Sequence, residues 1–222
     1  MKPPLVIVGG HGSGEIAMAV FEAANAAREQ WQIAGFLSDV CPPGERLGRH
    51  LVLGGTAEVE DFAARGYLIH YTLHLNAKKK QERVERLRSL RLPLEAHASA
   101  IHPRAHLEPS TEVGPGVVVC AQAATSFGVR LGGFIHLYTN AFVGHDTAVA
   151  DYATLAAHSV LGARVLAREG CHVGLNSTVR EDVSLGEYSI VGMGAVVLQD
   201  VAPFEIVGGN PARRLGSLDG SP

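Results

Sequence analysis

The sequence predicts two architectures in series, an α/β unit of roughly 95 residues and then an all-β parallel β-helix. Three observations carry this. Stepping in sixes from Ile101 to Val197, fifteen of the seventeen positions are Ile, Leu or Val. Four residues after each, from Ala105 to Val201, all seventeen are Ala, Ser, Thr, Val, Cys or Ile. Neither a helix nor a half-buried strand has a reason to hold such a phase for a hundred residues. Six residues make one short strand plus a turn, three such pieces close a triangular coil, and each coil buries its apolar side only against its neighbours. The third observation is Leu5-Val6-Ile7-Val8, an apolar run of the buried parallel-strand type, leading into Gly9-Gly10-His11-Gly12-Ser13-Gly14.

Composition narrows the class. The chain has 222 residues, comfortable for two domains, with 46% hydrophobic and 18% charged residues. A net charge of −3 leaves no basic footprint for nucleic acid. Cys41, Cys120 and Cys171 are an odd, sparse set without a C-x-x-C, which suits a reducing compartment. No apolar run is long enough for a membrane span, and Leu5 to Val8 is too short for a signal peptide. The expectation is a cytoplasmic protein with no membrane partner.

Along the chain, Ile16, Ala17, Val20, Phe21 and Ala24 give helical spacing after the glycine loop. Strand, glycine loop and helix open a nucleotide-binding unit, in which glycines admit a phosphate to the backbone and the helix N-terminus supplies free N–H groups. The spacing is G-x-x-G-x-G, with Glu15 where a dinucleotide fingerprint needs glycine. Anion binding and a plain tight turn both remain open there. Ile33 to Leu37 reads as a second strand; Asp39 beyond it is either a ribose- or base-gripping carboxylate or a turn acid before Pro42-Pro43-Gly44. Leu51 to Thr56 leads to a helix over 57–65 with Thr56 as N-cap. Tyr67 to Leu73 reads as a third strand, and Asn76 opens a charged helix reaching Arg91. Its Lys78-Lys79-Lys80 cluster is read as a solvated face, one member of which could meet a phosphate. Residues 1–95 thus form the glycine-loop domain and 96–215 the coils. Gly208 to Arg213 is a looped tail, and 216–222 are expected to be disordered.

Within the coils, residues eighteen apart stack. His136, Thr154 and His172 form one column, and Asn140, His158 and Asn176 another; both are expected to point outward as hydrated surface or subunit contact. Gly144-His145-Asp146 sits at a corner with a carboxylate beside the imidazole, which can fix the tautomer of a general base. Adjacent strand residues point to opposite faces, so a contact between the two requires the turn to bend there. The H-x4-H zinc pattern of β-helix carbonic anhydrases is not met, since Ser177 follows His172 at that spacing; no metal is expected. Cys120 and Cys171 sit at or beside interior positions and offer no nucleophile.

The glycine-loop unit, Ile101-His102-Pro103, the hexads, Gly144-His145-Asp146 and Gly209-Asn210-Pro211-Ala212-Arg213 together resemble the NeuD/PglD-like family of bacterial sugar acyltransferases, over residues 4 to 215. The resemblance implies a Rossmann-like N-terminal domain, a homotrimer of left-handed parallel β-helices, and acetyl-CoA as co-substrate in the groove between neighbouring subunits. It implies His145 as catalytic base with Asp146 as its partner. Val173, Gly174, Val191, Gly192, Asn210, Pro211 and Arg213, with Thr154 in place of a family histidine, would meet acetyl-CoA. Gly10, His11, Gly12, Ser13, Gly14, Asp39 and Asn76 would hold a nucleotide-linked amino sugar. Two departures stand out: the family's loop often reads G-x-x-G-H-G, whereas Ser13 takes the histidine's place and a histidine stands at 11. The implied reaction is acetyl transfer to a sugar amine for surface-glycan synthesis. Transfer to a sugar hydroxyl, or a scaffold trimer that has lost the chemistry, remain alternatives.

Overall fold

In the computed structural model, which describes residues 2–72 and 79–220, the first apolar run forms β1 (Pro4–Val8), and the glycine loop delivers the chain into α1 (Ser13–Ala27). β2 (Gln32–Leu37), β3 (Arg46–Leu47), β4 (His50–Gly54), α2 (Val59–Ala64), β5 (Leu68–Tyr71) and α3 (Lys80–Ser89) follow. The sheet order is β3-β4-β2-β1-β5, with β1 parallel to both β2 and β5. The chain therefore leaves β1 in one direction and returns on its other side at β5, which opens a crevice beyond the carboxyl ends of the strands. One boundary differs from expectation. A 3-10 turn (Thr56–Glu58) precedes α2 with Gly55 as its N-cap, because the Thr56 hydroxyl is committed to Asp39. Asn76 and Leu73 lie outside the described residues.

From Ala100 the hexads coil as expected. From Glu112 to Val197 each contributes a two-residue strand paired in parallel with strands eighteen residues away, as in His136↔Thr154 and Thr154↔His172. The three walls are an eight-stranded and two five-stranded sheets. Val119, Leu137, Leu155, Val173 and Val191 stack down the interior at 0% exposure, with the small residues Ala123, Ala141, Ala153 and Cys171 filling between layers. Each such aliphatic stabilises the stack by about 1.5–3 kcal/mol.

Every sixth residue from Gly116 to Gly194 adopts left-handed φ, between 52° and 68°. Glycine, Asn and Asp tolerate this; larger residues need compensation of about 1–2 kcal/mol. Phe134 stacks on Tyr152 at 5.2 Å, Tyr188 on Phe204 at 5.9 Å, and Arg164 grips Asp182 through two bonds of 2.6 and 2.8 Å. These strained corners are thus held by the corner of the next coil.

The stack does not stop at Val201. A strand at Glu205–Gly208 pairs in parallel with Ile190–Val191, and Arg213–Ser217 folds back on it antiparallel. The expected looped tail is therefore a hairpin. Ser217 Oγ donates to Phe204 O at 3.2 Å and Leu218 N to the same carbonyl at 2.9 Å, so this part of the tail is ordered by backbone pairing.

Gly170→Ala should destabilise by about 1–3 kcal/mol, because φ is +66° and its Cβ would lie 2.5 Å from the Tyr188 ring. Gly194→Ala, at φ +68° with open space around it, should lose less. Equal losses in denaturant unfolding would contradict the interlocked corners.

Candidate active site

The corner at Asp146 bends the backbone through φ 56°, and this brings two sequential side chains onto one face. His145 Nδ1 stands 2.8 Å from Asp146 Oδ2, so the turn supplies the contact that a straight strand would deny. The main chain is pinned from both sides: Asp146 N donates to Phe127 O at 2.9 Å and Arg164 N to His145 O at 2.8 Å. With its Nδ1–H given to the carboxylate, the imidazole presents Nε2 as acceptor. Both side chains are about half exposed, 50% and 56%, and Phe127, one coil earlier, is 64% exposed.

An apolar groove of about 520 Å³ lies between α1 and the later coils, lined by Ile16, Tyr138, Ala156, Leu175, Met193 and the expected Gly174, Val191 and Gly192. Val173 is core, at 0% exposure, and can offer only backbone. Pro211 and Arg213 line a different crevice of about 320 Å³ beside Asp200 and Glu205, and Asn210 is exposed nearby. The residues grouped for acetyl-CoA therefore fall on two surfaces of this chain.

The third site is the crevice at the strand ends, about 270 Å³, where Gly10, His11, Ser13 and Asp39 meet. Gly9 and Gly14 must be glycine: a Cβ on Gly9 would overlap Thr72 Oγ1, and one on Gly14 would sit 3.0 Å from the Gly9 carbonyl carbon. Gly12 N is bonded to Glu15 Oε2 at 3.1 Å, so Glu15 closes the helix start that a dinucleotide fingerprint leaves open. Asp39 accepts Thr56 Oγ1 at 2.5 Å and Thr56 N at 2.7 Å and faces Arg86 at 3.5 Å. Thr56 hydroxyl donation, foremost, holds its carboxyl below the usual range, with the Thr56 N–H and Arg86 adding to it and partial burial opposing. Sequence reasoning missed Arg83, Arg86, Thr56, Tyr71 and Thr72 here. Of these, only the two arginines carried a signal, a helical spacing of three on one face.

The column His136-Thr154-His172 is not hydrated surface. It points away from the coil interior, but the α/β domain covers it, leaving His136 and Thr154 at 3% and 2% exposure. Lys80 belongs to no solvated face either. It is 1% exposed, and its Nζ donates to Thr154 Oγ1 at 2.8 Å and Cys171 O at 3.4 Å. Thr154 is thus occupied by this chain's own lysine rather than free for a cofactor. His70 stacks on His136 at 5.5 Å, and burial holds His70, His136 and His172 down to about 4, 3 and 4. The same burial lowers Lys80 to about 8. Arg88 completes the joint by bonding Glu169 at 2.7 Å and covering the Tyr152 ring.

The fold of this chain is similar to that of solved acetyltransferases. The acetyltransferase domain of PglB from Neisseria gonorrhoeae, in complex with acetyl coenzyme A, is similar at 24% identity and TM-score 0.84, over 97% of this chain and 100% of that one. PerB from Caulobacter crescentus, in complex with CoA and GDP-perosamine, is similar at 25% identity and TM-score 0.82, over 96% and 97%. The dTDP-3-amino-3,6-dideoxy-alpha-D-galactopyranose 3-N-acetyltransferase of Aneurinibacillus thermoaerophilus is 38% identical over 53 residues, 24% of this chain and 28% of that protein. The chain spans 28% of the length of the first such curated relatives it matches. No family model matches. The two solved structures match nearly the whole chain, in keeping with the resemblance to sugar acyltransferases drawn from the motifs.

Two outcomes follow from the joint. Thr154→Val leaves the Lys80 ammonium short of a buried partner and should lose about 1–3 kcal/mol, whereas Lys80→Met, which removes the charge with its stem intact, should lose less. Urea unfolding at neutral pH distinguishes them. The buried histidines bind protons more weakly folded than unfolded, so stability is complete above about pH 6.5 and falls as pH drops toward 4. The slope should approach about 1.4 kcal/mol per pH unit per histidine. A flat melting temperature from pH 7 to 4.5 would contradict this.

Proposed function

We propose that the chain is an acetyl-CoA-dependent N-acetyltransferase acting on the amine of a nucleotide-linked amino sugar, working as a homotrimer of left-handed β-helices. The observation that carries the reading is the 2.8 Å contact between His145 Nδ1 and Asp146 Oδ2 at an open coil corner. In the reaction, the neutral sugar amine attacks the thioester carbonyl carbon while His145 Nε2 takes its proton. The tetrahedral oxyanion then collapses, the carbon–sulfur bond breaks, and the proton returns to the departing CoA thiolate. Asp146 keeps the imidazole in the tautomer that accepts at Nε2 and stabilises the imidazolium between the two transfers.

Three features support the rest. The apolar groove at Gly174, Val191 and Gly192 offers Leu175 and Met193, 47% and 76% exposed, to a pantetheine arm. Leu166 and Phe142, also exposed at 43% and 40%, give the coil walls apolar faces for a neighbouring subunit, which would bring a second wall to the half-exposed His145. The crevice of the Rossmann-like domain sets Arg83 and Arg86 against glycine-loop backbone, a fit for a diphosphate, with Asp39 in reach of a ribose or base. Neighbours solved with CoA and GDP-perosamine have the same fold. Among the described residues no helix is long and apolar enough to cross a membrane. A cytoplasmic site of action accords with the three free thiols.

His145→Asn, assayed for CoA release over a panel of UDP-, GDP- and dTDP-linked amino sugars, should lower turnover about 100- to 10,000-fold with little change in CoA binding. Asp146→Asn should fall between the wild type and His145→Asn. Unchanged turnover in His145→Asn would sink the proposed base, and no turnover by the wild type on any sugar would favour a scaffold. A base-labile product would signal an ester and move the reaction to a hydroxyl.

A further inference from the structure

The histidine displaced from position 13 to position 11 lands beside a second group of ligand-forming side chains. His11 Nε2 lies 3.7 Å from Glu45 Oε1, and donor atoms of His11, Cys41 and Glu45 all fall within 4.8 Å of one another. The latter two are held in place. Ser38 Oγ accepts the N–H groups of Val40 and Cys41, both at 3.3 Å. Glu45 is fixed by Val52 N donating to its carbonyl at 2.9 Å and by its own N–H on Pro42 O at 3.1 Å. Gly10 brings the loop against them: a Cβ there would lie 3.6 Å from Cys41 Sγ. Cys41 is a free thiol, 3% exposed, while the His11 side chain is 63% exposed.

We propose that His11, Cys41 and Glu45 bind a divalent transition-metal ion of the zinc type at the rim of the strand-end crevice. One nitrogen, one sulfur and one carboxylate oxygen, at metal distances of about 2.0–2.3 Å, would sit roughly 3.3–3.8 Å apart around a tetrahedral ion. The donor atoms, all within 4.8 Å of one another, would close to that spacing as the ion binds. A thiolate and an imidazole together select zinc or cobalt over magnesium and calcium. Glu15 Oε2, 3.5 Å from His11 Nδ1, is placed to accept that nitrogen's proton and orient the ring, as carboxylates do behind ligating histidines. Three protein ligands leave one position open, and His11 itself lines the crevice with Gly9, Gly10 and Asp39. The site thus borders the crevice proposed above for a diphosphate. The proposal stands apart from the role of His145 and needs no step of the transfer reaction.

The test is cobalt titration of the untagged, chelator-stripped full-length protein. One equivalent should give tetrahedral d–d bands and a thiolate-to-cobalt charge-transfer band, both lost on adding zinc. Cys41→Ser should abolish the charge-transfer band. His11→Asn and Glu45→Gln should weaken cobalt binding about tenfold or more. Because Cys41 is buried, circular dichroism must first show that Cys41→Ser is folded; the exposed His11→Asn carries the test if it is not. Absence of charge transfer with cobalt in excess, a band that survives Cys41→Ser, or equal affinity in His11→Asn would each overturn the site.

Discussion

The solenoid depends on one backbone constraint, a left-handed turn every sixth residue. That turn lets a chain of short strands close on itself, and it also decides where side chains go. Asp146 is one of these corner residues. Its φ of 56° folds its carboxylate back toward His145, so the element that shapes the solenoid also assembles the proposed base and its partner. The corner is rigid because the coils before and after it are themselves strained and interlocked, through Arg164 and Asp182 on one side and Phe127 on the other.

A second dependence runs through the joint. One wall of the solenoid carries His136, Thr154 and His172 outward, and the α/β domain seats α3 directly on them. A buried ammonium with two oxygen partners costs about as much to desolvate as it returns, so Lys80 adds more to register than to stability. It fixes which coil α3 meets, and with it the position of the strand-end crevice relative to the groove at Gly174 and Gly192.

The solenoid interior was legible because a single requirement, an apolar residue followed by a small one, repeats undisturbed from Ile101 to Val201. The strand and glycine loop were legible for the same local reason. Of the corners only Gly144-His145-Asp146 was read as one; Phe134, Asn140, Tyr152 and Arg164 share no chemistry, only a φ angle. Lys80 read as solvent-facing because a run of three lysines normally is; what buries it is a surface more than seventy residues further along. Gly208 to Arg213 read as a loop, whereas Gly208 pairs with Arg213 and the residues between them turn a hairpin. In the candidate sites, Gly10, Ser13, Asp39 and His145 had a local pattern behind them, and Gly174 came from the family resemblance. Thr56, Tyr71 and Arg86 came together only when strand ends from distant segments met.

The interlocked corners also bear on how such a chain can change over evolutionary time. Phe134 on Tyr152 and Tyr188 on Phe204 hold only while each residue keeps its azimuth around the axis. Losing or gaining a single residue inside the coils would rotate every later corner away from its neighbour and turn the interior column outward. Length is therefore quantised. The solenoid can grow or shrink by a whole coil, or bulge at a corner, but it cannot drift by ones and twos. Point substitution at the outward positions, rather than insertion, is the route by which its walls acquire new partners.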